Sequence, residues 1–72
     1  MTLDQLKIGQ FAELDKILDS PLTLNFLEIG LSPGKKIQII QKAPFKGPVA
    51  VLLENQTIAI RLQEAKLLKV KI

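Results

Sequence analysis

The side chains that could support chemistry in this chain are its carboxylates, since its 72 residues include no cysteine and no histidine. Zinc, copper and iron–sulfur sites normally need thiolate or imidazole ligands, so a tight transition-metal site is not expected. Glu13 and Asp15 would share one face of a strand, where their oxygens could bind a cation. Two solvated surface acids are the simpler interpretation, so the sequence predicts at most weak metal binding at this pair.

A catalytic centre is not predicted. Catalysis would need a nucleophile with a base, an acid–base pair, a metal or a phosphate cradle, and the sequence offers none of these. Ser20 precedes Pro21 and is better explained as a helix cap than as a nucleophile. Gly30 and Gly34 flank a turn and do not open a helix after a strand, so they do not form a phosphate-binding loop. We therefore predict a protein that is not an enzyme and that has no cofactor.

Contact surfaces are the remaining source of function. Phe45 stands at a predicted loop tip, where an exposed aromatic could anchor a partner. It could equally fold over one end of the core, and the sequence leaves both alternatives open. The outer face of a predicted helix and two lysines after it are weaker candidates, because solvent exposure alone explains them. The candidate partner-binding residues are Asn25, Glu28, Lys35, Lys36, Phe45 and Lys46.

The charge of the chain is mildly basic, with a formal net charge of +3. Its lysines are scattered, and both tyrosine and tryptophan are absent, so a solvated surface is favoured over a nucleic-acid patch. A small basic nucleic-acid-binding barrel remains the alternative function. No apolar run approaches the ~18 residues of a membrane span, and the N-terminus lacks a secretory pattern. We therefore expect a cytoplasmic protein, and weak self-association is left open.

The junction that positions these residues is predicted at Leu27–Gly34. Gly30 can take the left-handed conformation that ends a helix, after which Leu31 can contact Phe26. The following residues, Ser32 to Lys35, read as a type II turn with Gly34 at the position of positive φ. The helix itself is predicted from Pro21 to about Ile29, with Leu24, Leu27 and Leu31 on its core face and Asn25 and Glu28 facing out.

Alternating apolar residues predict about five short strands in one domain spanning residues 1–72. The predicted strands are Phe11–Leu18 with a bulge near Lys16, Lys35 to about Lys42, Val49–Glu54, Thr57–Leu62 and Leu68–Ile72. Leu3, Leu6 and Ile8 form a short turn before them, Asn55-Gln56 reverses the third strand into the fourth, and Gln63–Ala65 is one helical turn. This pattern predicts a mainly β protein, a partly open antiparallel barrel with one short helix inserted after the first strand.

The chain resembles the FeoA family over nearly its whole length. Leu27-Glu28-Ile29-Gly30-Leu31-Ser32-Pro33-Gly34 resembles the family signature, and Ala43–Pro48 resembles its proline-containing loop. Thr57–Arg61 followed by Glu64-Ala65 resembles the family's Ile-Ala-Leu-Arg strand with a Glu-Ala pair behind it, and Leu6–Gly9 matches the family's start. The motif residues are Leu27, Gly30, Leu31, Pro33, Gly34, Arg61, Glu64 and Ala65.

This resemblance implies an SH3-like barrel and a non-catalytic, cytosolic accessory role in bacterial ferrous iron uptake. It implies binding to the transporter FeoB, at its cytoplasmic GTPase region or its membrane-facing surface, with membrane contact only through that transporter. It also implies an association with transition metal ions. Asn25 stands where the family often has arginine, which implies an altered interface if that arginine contacts the partner. The barrel also resembles the C-terminal domain of repressors of the diphtheria toxin repressor type, but such a repressor would need a helix-turn-helix before Met1, so this chain is not expected to be one.

Overall fold

The computed structural model describes residues 1–18 and 23–72. Its elements are a 3₁₀ helix Leu3–Gln5, β1 Phe11–Ile17, α1 Thr23–Glu28, β2 Lys36–Lys42, β3 Val49–Leu53, β4 Gln56–Ile60, α2 Leu62–Ala65 and β5 Leu68–Lys71. The strands form one five-stranded sheet in the order β4-β3-β2-β1-β5, and every neighbouring pair is antiparallel. The predicted mainly β architecture, with a short helix after the first strand, is confirmed.

The core is built by alternation along the strands. Each strand turns every second side chain inward, because successive side chains of a strand point to opposite faces. The buried residues are Leu3, Leu6, Ala12, Leu14, Phe26, Leu31, Ile37, Ile39, Val49, Val51, Leu53, Ile60, Ala65, Leu68 and Val70. Within the described residues no polar or charged side chain is buried, so the core is wholly apolar and the chemically distinctive groups lie on the surface.

The helix-to-sheet junction forms as predicted. Gly30 has φ +96°, and two hydrogen bonds close the helix end, from Leu31 N–H to Phe26 O at 2.9 Å and from Gly30 N–H to Leu27 O at 3.1 Å. This is the Schellman pattern, and the two apolar residues that accompany it, Phe26 and Leu31, are both buried in the same core cluster. The turn follows, with Gly34 at φ +94° and Lys35 N–H donating to Ser32 O at 3.2 Å.

The predicted core face of α1 needs correction. Leu27 is 45% exposed, whereas its neighbour Phe26 is buried. Successive helical side chains point about 100° apart, so a helix of this length that buries Phe26 turns Leu27 away from the core. The helix also ends at Glu28, one residue before the predicted Ile29. The predicted cap at Ser20, the predicted start at Pro21 and the side chain of Leu24 lie outside what the structure describes.

Two bulges shape the sheet. The register between β1 and β5 shifts between Leu14 and Lys16, where a bulge was predicted. A second shift, in β2 between Ile39 and Gln41, was not predicted, and Ile40 beside it is 40% exposed. Alternation alone turns Ile40 outward after buried Ile39, and the extra residue of the bulge leaves the next side chain, Gln41, exposed as well.

The N-terminal segment joins the core through Leu3 and Leu6, which are fully buried, while Ile8 is 61% exposed. Lys42 fixes this segment to the end of β2. Its Nζ donates to the backbone oxygens of Asp4 and Leu6 at 3.0 and 2.9 Å. The predicted N-terminal turn is therefore packed through its two leucines, whereas Ile8 faces solvent.

The reversal between β3 and β4 lies one residue earlier than predicted. Leu53 pairs with Gln56, so the loop is Glu54-Asn55 and not Asn55-Gln56. Both loop residues have positive φ, +48° and +68°, as in a type I′ hairpin turn. Asparagine tolerates this conformation better than glutamine, which explains why Asn55 is inside the loop and Gln56 is in the strand.

The far ends of β4 and β5 also differ from the prediction. β4 ends at Ile60, because Leu62 begins α2, and Ile72 lies outside β5 and is 78% exposed. Arg61 N–H donates to Glu64 Oε1 at 3.0 Å, which caps the first turn of α2, and Ala65 is fully buried beneath it. Arg61, Glu64 and Ala65 therefore build the connection between the last two strands.

Candidate protein-docking surface

The hairpin tip between β2 and β3 is a tight turn at residues that are not glycine. Ala43 N–H donates to Pro48 O at 3.0 Å, and Gly47 N–H donates to Pro44 O at 3.1 Å. The two residues at the tip, Phe45 and Lys46, have φ +58° and +61°. Left-handed backbone costs a non-glycine residue roughly 1 kcal/mol or more, so the ladder below must hold this tip in place.

Gly47 is the residue that lets the hairpin close. A Cβ built at this position would lie 2.7 Å from the Cβ of Ala43 and 3.1 Å from the backbone oxygen of Pro44. The first distance is shorter than real Cβ atoms show, so a side chain here would force the turn open. The sequence Ala43–Pro48 therefore specifies one tip conformation.

Phe45 is 99% exposed at this tip. Burying a phenylalanine side chain is worth about 1.5–3 kcal/mol, and the fold gains none of it here. Lys46 is exposed beside it. Of the two alternatives that the sequence left open, the structure shows the outward one. An apolar side chain held fully in solvent by a strained backbone is suited to enter a pocket on another molecule.

The other predicted partner-binding residues lie at the opposite end of the barrel. Lys35 forms an ion pair with Glu54, and both side chains are partly exposed, so the pair contributes little to stability. Asn25 and Glu28 are exposed on α1. The end of this helix is close to the Glu54-Asn55 turn. A Cβ built on Gly30 would lie 3.5 Å from Cδ2 of Leu53, the residue just before that turn.

The six predicted residues therefore form two groups. Phe45 and Lys46 follow the end of β2, whereas Lys35 and Lys36 stand at its beginning with Asn25 and Glu28 nearby. Seven residues of extended strand separate the two groups by about 20 Å. The structure does not bring them together into one surface.

The carboxylates proposed as weak metal ligands lie among lysines. Glu13 is opposite Lys36 on β2 and opposite Lys71 on β5. Asp15 Oδ1 is 3.4 Å from Lys71 Nζ. Among the residues that the structure describes, no group of three or more potential ligands converges. A cation bound at Glu13 and Asp15 would have to compete with positive charge already in place on two neighbouring strands.

A further surface was missed by sequence reasoning. A shallow groove of about 480 Å³ is lined by Phe11, Ala12, Glu13, Lys36, Lys71 and Ile72. Phe11 is 66% exposed. The signal was present in the sequence, because inward Ala12 places Phe11 on the outer face beside Glu13, and an aromatic on a charged strand face is unusual. This groove combines an apolar wall with two lysines.

Five antiparallel strands in one small sheet around an apolar core, with a short helix after the first strand, are the architecture of the SH3-like class. The chain belongs to the FeoA family, since the model for the FeoA domain matches residues 1–72. Both the resemblance and the SH3-like fold inferred from it are confirmed. None of the helices described here is long and apolar enough to cross a membrane.

Solved structures support this assignment. The chain is similar to iron(II) transport protein A from Clostridium thermocellum, with 30% identity and a TM-score of 0.92, covering 100% of this chain and 45% of that one. It is similar to FeoA of Stenotrophomonas maltophilia, an SH3 domain protein complexed with zinc, with 25% identity and a TM-score of 0.86, covering 99% and 89%. A manganese-dependent transcriptional repressor shares the fold, with 18% identity, a TM-score of 0.89 and coverage of 100% and 40%. Curated proteins gave no match.

Proposed function

We propose that this protein is a non-catalytic, cytoplasmic accessory component of bacterial ferrous iron uptake, and that it acts by docking onto the transporter FeoB at its cytoplasmic GTPase region. Membership of the FeoA family supports the iron transport role. The observation that carries the docking proposal is Phe45, which is 99% exposed on a turn with positive φ at both central residues. The S. maltophilia relative has itself been put forward as an activating factor for ferrous iron transport.

The tip of the β2–β3 hairpin is suited to docking because it is already in one conformation. The bonds from Ala43 to Pro48 and from Gly47 to Pro44 fix its backbone, and the two prolines restrict it further. A preorganised tip loses little conformational entropy when it binds. Burial of Phe45 would then contribute about 1.5–3 kcal/mol, which corresponds to roughly tenfold to hundredfold in Kd.

Lys46 adds a charge beside the aromatic anchor. A cation at the rim of an interface mainly steers association with an acidic surface and gives a salt-dependent rate. We therefore assign Phe45 the larger share of the affinity and Lys46 the larger share of the association rate.

The test is a calorimetric titration of the purified cytoplasmic region of the transporter with this protein, which yields Kd. Phe45→Ala is expected to raise Kd about tenfold or more. Lys46→Glu should raise Kd less, with an effect that shrinks as salt increases. Phe11→Ala is the matched control, because it removes an equally large exposed aromatic from the groove between β1 and β5, and it should leave Kd within about twofold.

Two results would contradict the proposal in different ways. If the wild-type protein does not bind the transporter region, the docking role is wrong. If it binds but Phe11→Ala weakens binding while Phe45→Ala does not, the partner is right and the docking surface is the groove.

A further inference from the structure

The two edge strands of the sheet, β5 and β4, differ in how well their outer backbone is protected. On β5, Thr2 bridges to Lys69, and Val70 N–H donates to Met1 O at 2.9 Å, so the outer side of this strand is partly covered. Lys69 and Lys71 add charge to the same strand. On β4, Gln56–Ile60 carries no charge, no proline and no bulge, and among the described residues its only strand partner is β3. Natural sheets normally protect an edge strand with a charge, a proline, a bulge or a covering segment.

The pairing with β3 determines which backbone groups of β4 point outward. A two-residue hairpin closes on a hydrogen-bonded pair, here Leu53 with Gln56, and such pairs alternate along an antiparallel ladder. Gln56, Ile58 and Ile60 therefore bond to β3. The N–H and C=O groups of Thr57 and Ala59 point to the open side. The side chains of Thr57 and Ala59 are both exposed, so they do not fill the core.

We infer that β4 pairs antiparallel with β4 of a second copy, about a two-fold axis at Ile58. This register puts Thr57 of each copy opposite Ala59 of the other, and each of these two pairs exchanges both of its backbone hydrogen bonds. Ile58 then faces Ile58 in the close, non-hydrogen-bonded pair between them. The two sheets continue into one, as symmetric dimers that join by their edges do.

The edge is complementary to itself. A threonine opposite an alanine brings no steric or charge conflict, and a pair of β-branched isoleucines is favourable across strands. The ends of β4 differ in sign, since Glu54 precedes the strand and Arg61 follows it. Antiparallel pairing places the Arg61 end of one copy beside the Glu54 turn of the other, although Glu54 also pairs with Lys35 in its own chain. These opposite charges favour a second copy in this orientation. The inference does not depend on docking to a transporter.

The test compares two double variants of the full chain by sedimentation equilibrium over a range of concentrations. Thr57→Lys with Ala59→Lys places lysine opposite lysine twice, and it should raise the dimer dissociation constant about tenfold or more. Thr57→Lys with Ala59→Glu alters the same positions but places opposite charges together, and it should lower that constant below the wild-type value. Far-ultraviolet circular dichroism of both variants checks that the fold is kept.

A variant with proline at the edge gives an independent readout. Ala59→Pro removes only an N–H that points away from β3, so it should abolish the dimer while the monomer remains folded. The inference is overturned if the wild-type chain stays monomeric at the highest concentration reached. It is also overturned if association continues past the dimer, or if the two double variants associate equally.

Discussion

The two hairpin tips of this protein share a left-handed backbone at their central residues and have opposite surfaces. The central residues of the two turns, Phe45-Lys46 and Glu54-Asn55, all have positive φ, and none of the four is glycine. At the β3–β4 tip, Glu54 pairs with Lys35 and so joins the tip to the start of β2. At the β2–β3 tip, Phe45 is 99% exposed. Both turns are needed to connect their strands. The fold also uses the side chain of Glu54, through its ion pair, but it makes no use of the exposed side chain of Phe45.

The first way to sharpen this comparison is a matched pair of phenylalanines. Phe26→Ala should lower the free energy of unfolding by about 3–5 kcal/mol, because Phe26 is buried under the cap of α1. That loss is comparable to the total stability expected of so small a core, so the variant should be largely unfolded. Phe45→Ala should change the same quantity by less than about 0.5 kcal/mol. Urea denaturation measures both, and a large loss for Phe45→Ala would show that the tip has a structural role.

The second prediction concerns the backbone of the β2–β3 tip. Gly47→Ala should lower the free energy of unfolding by about 1–3 kcal/mol, because the new methyl group would meet the Cβ of Ala43 at 2.7 Å. Adding Ala43→Gly to that variant removes the clashing atom and should restore part of the loss. If the double variant is less stable by the sum of the two single changes, the clash is not the cause.

The third prediction compares the strain in the two tips. Lys46→Gly should raise the free energy of unfolding by about 0.5–1 kcal/mol, because glycine relieves left-handed backbone at some entropic cost. Asn55→Gly should raise it less, since asparagine already tolerates that conformation. Thermal unfolding of both variants provides the measurement. An equal gain at the two positions would mean that side-chain type does not set the strain.

The smallest expected effect is at the polar tip. Glu54→Gln removes the charge that faces Lys35, and it should cost less than about 1 kcal/mol, because both side chains are partly exposed. The loss should shrink further in high salt. Denaturation in low and high salt checks this. A larger loss that is independent of salt would make the ion pair a true structural link between the two strands.

Local backbone chemistry could be predicted well from the sequence. The helix end at Gly30, the turn at Gly34 and the bulge near Lys16 each depend on a few neighbouring residues, and all three are present. The inward faces of the strands followed from period-two alternation. The family motifs then gave the order of these elements along the whole chain correctly.

Other features depend on packing that is not local. Leu27 faces solvent because α1 is short and Phe26 takes the core position, which helical spacing alone did not decide. The orientation of Phe45 depends on φ at two non-glycine residues, where sequence gives weak preferences. The groove beside Phe11 forms only when β5 pairs with β1, so its lining comes from residues far apart in the chain.

The position of β1 has a consequence for the order of folding. This early strand has β2 on one side and β5 on the other, so Glu13 lies next to both Lys36 and Lys71. Contacts between residues so distant in sequence slow folding, because a long loop must close before they form. The strands β1 to β4 can therefore assemble before residues 68–71 close on the remaining side of β1. Until then β1 presents an unpaired edge of its own, and this partly folded state is exposed to aggregation.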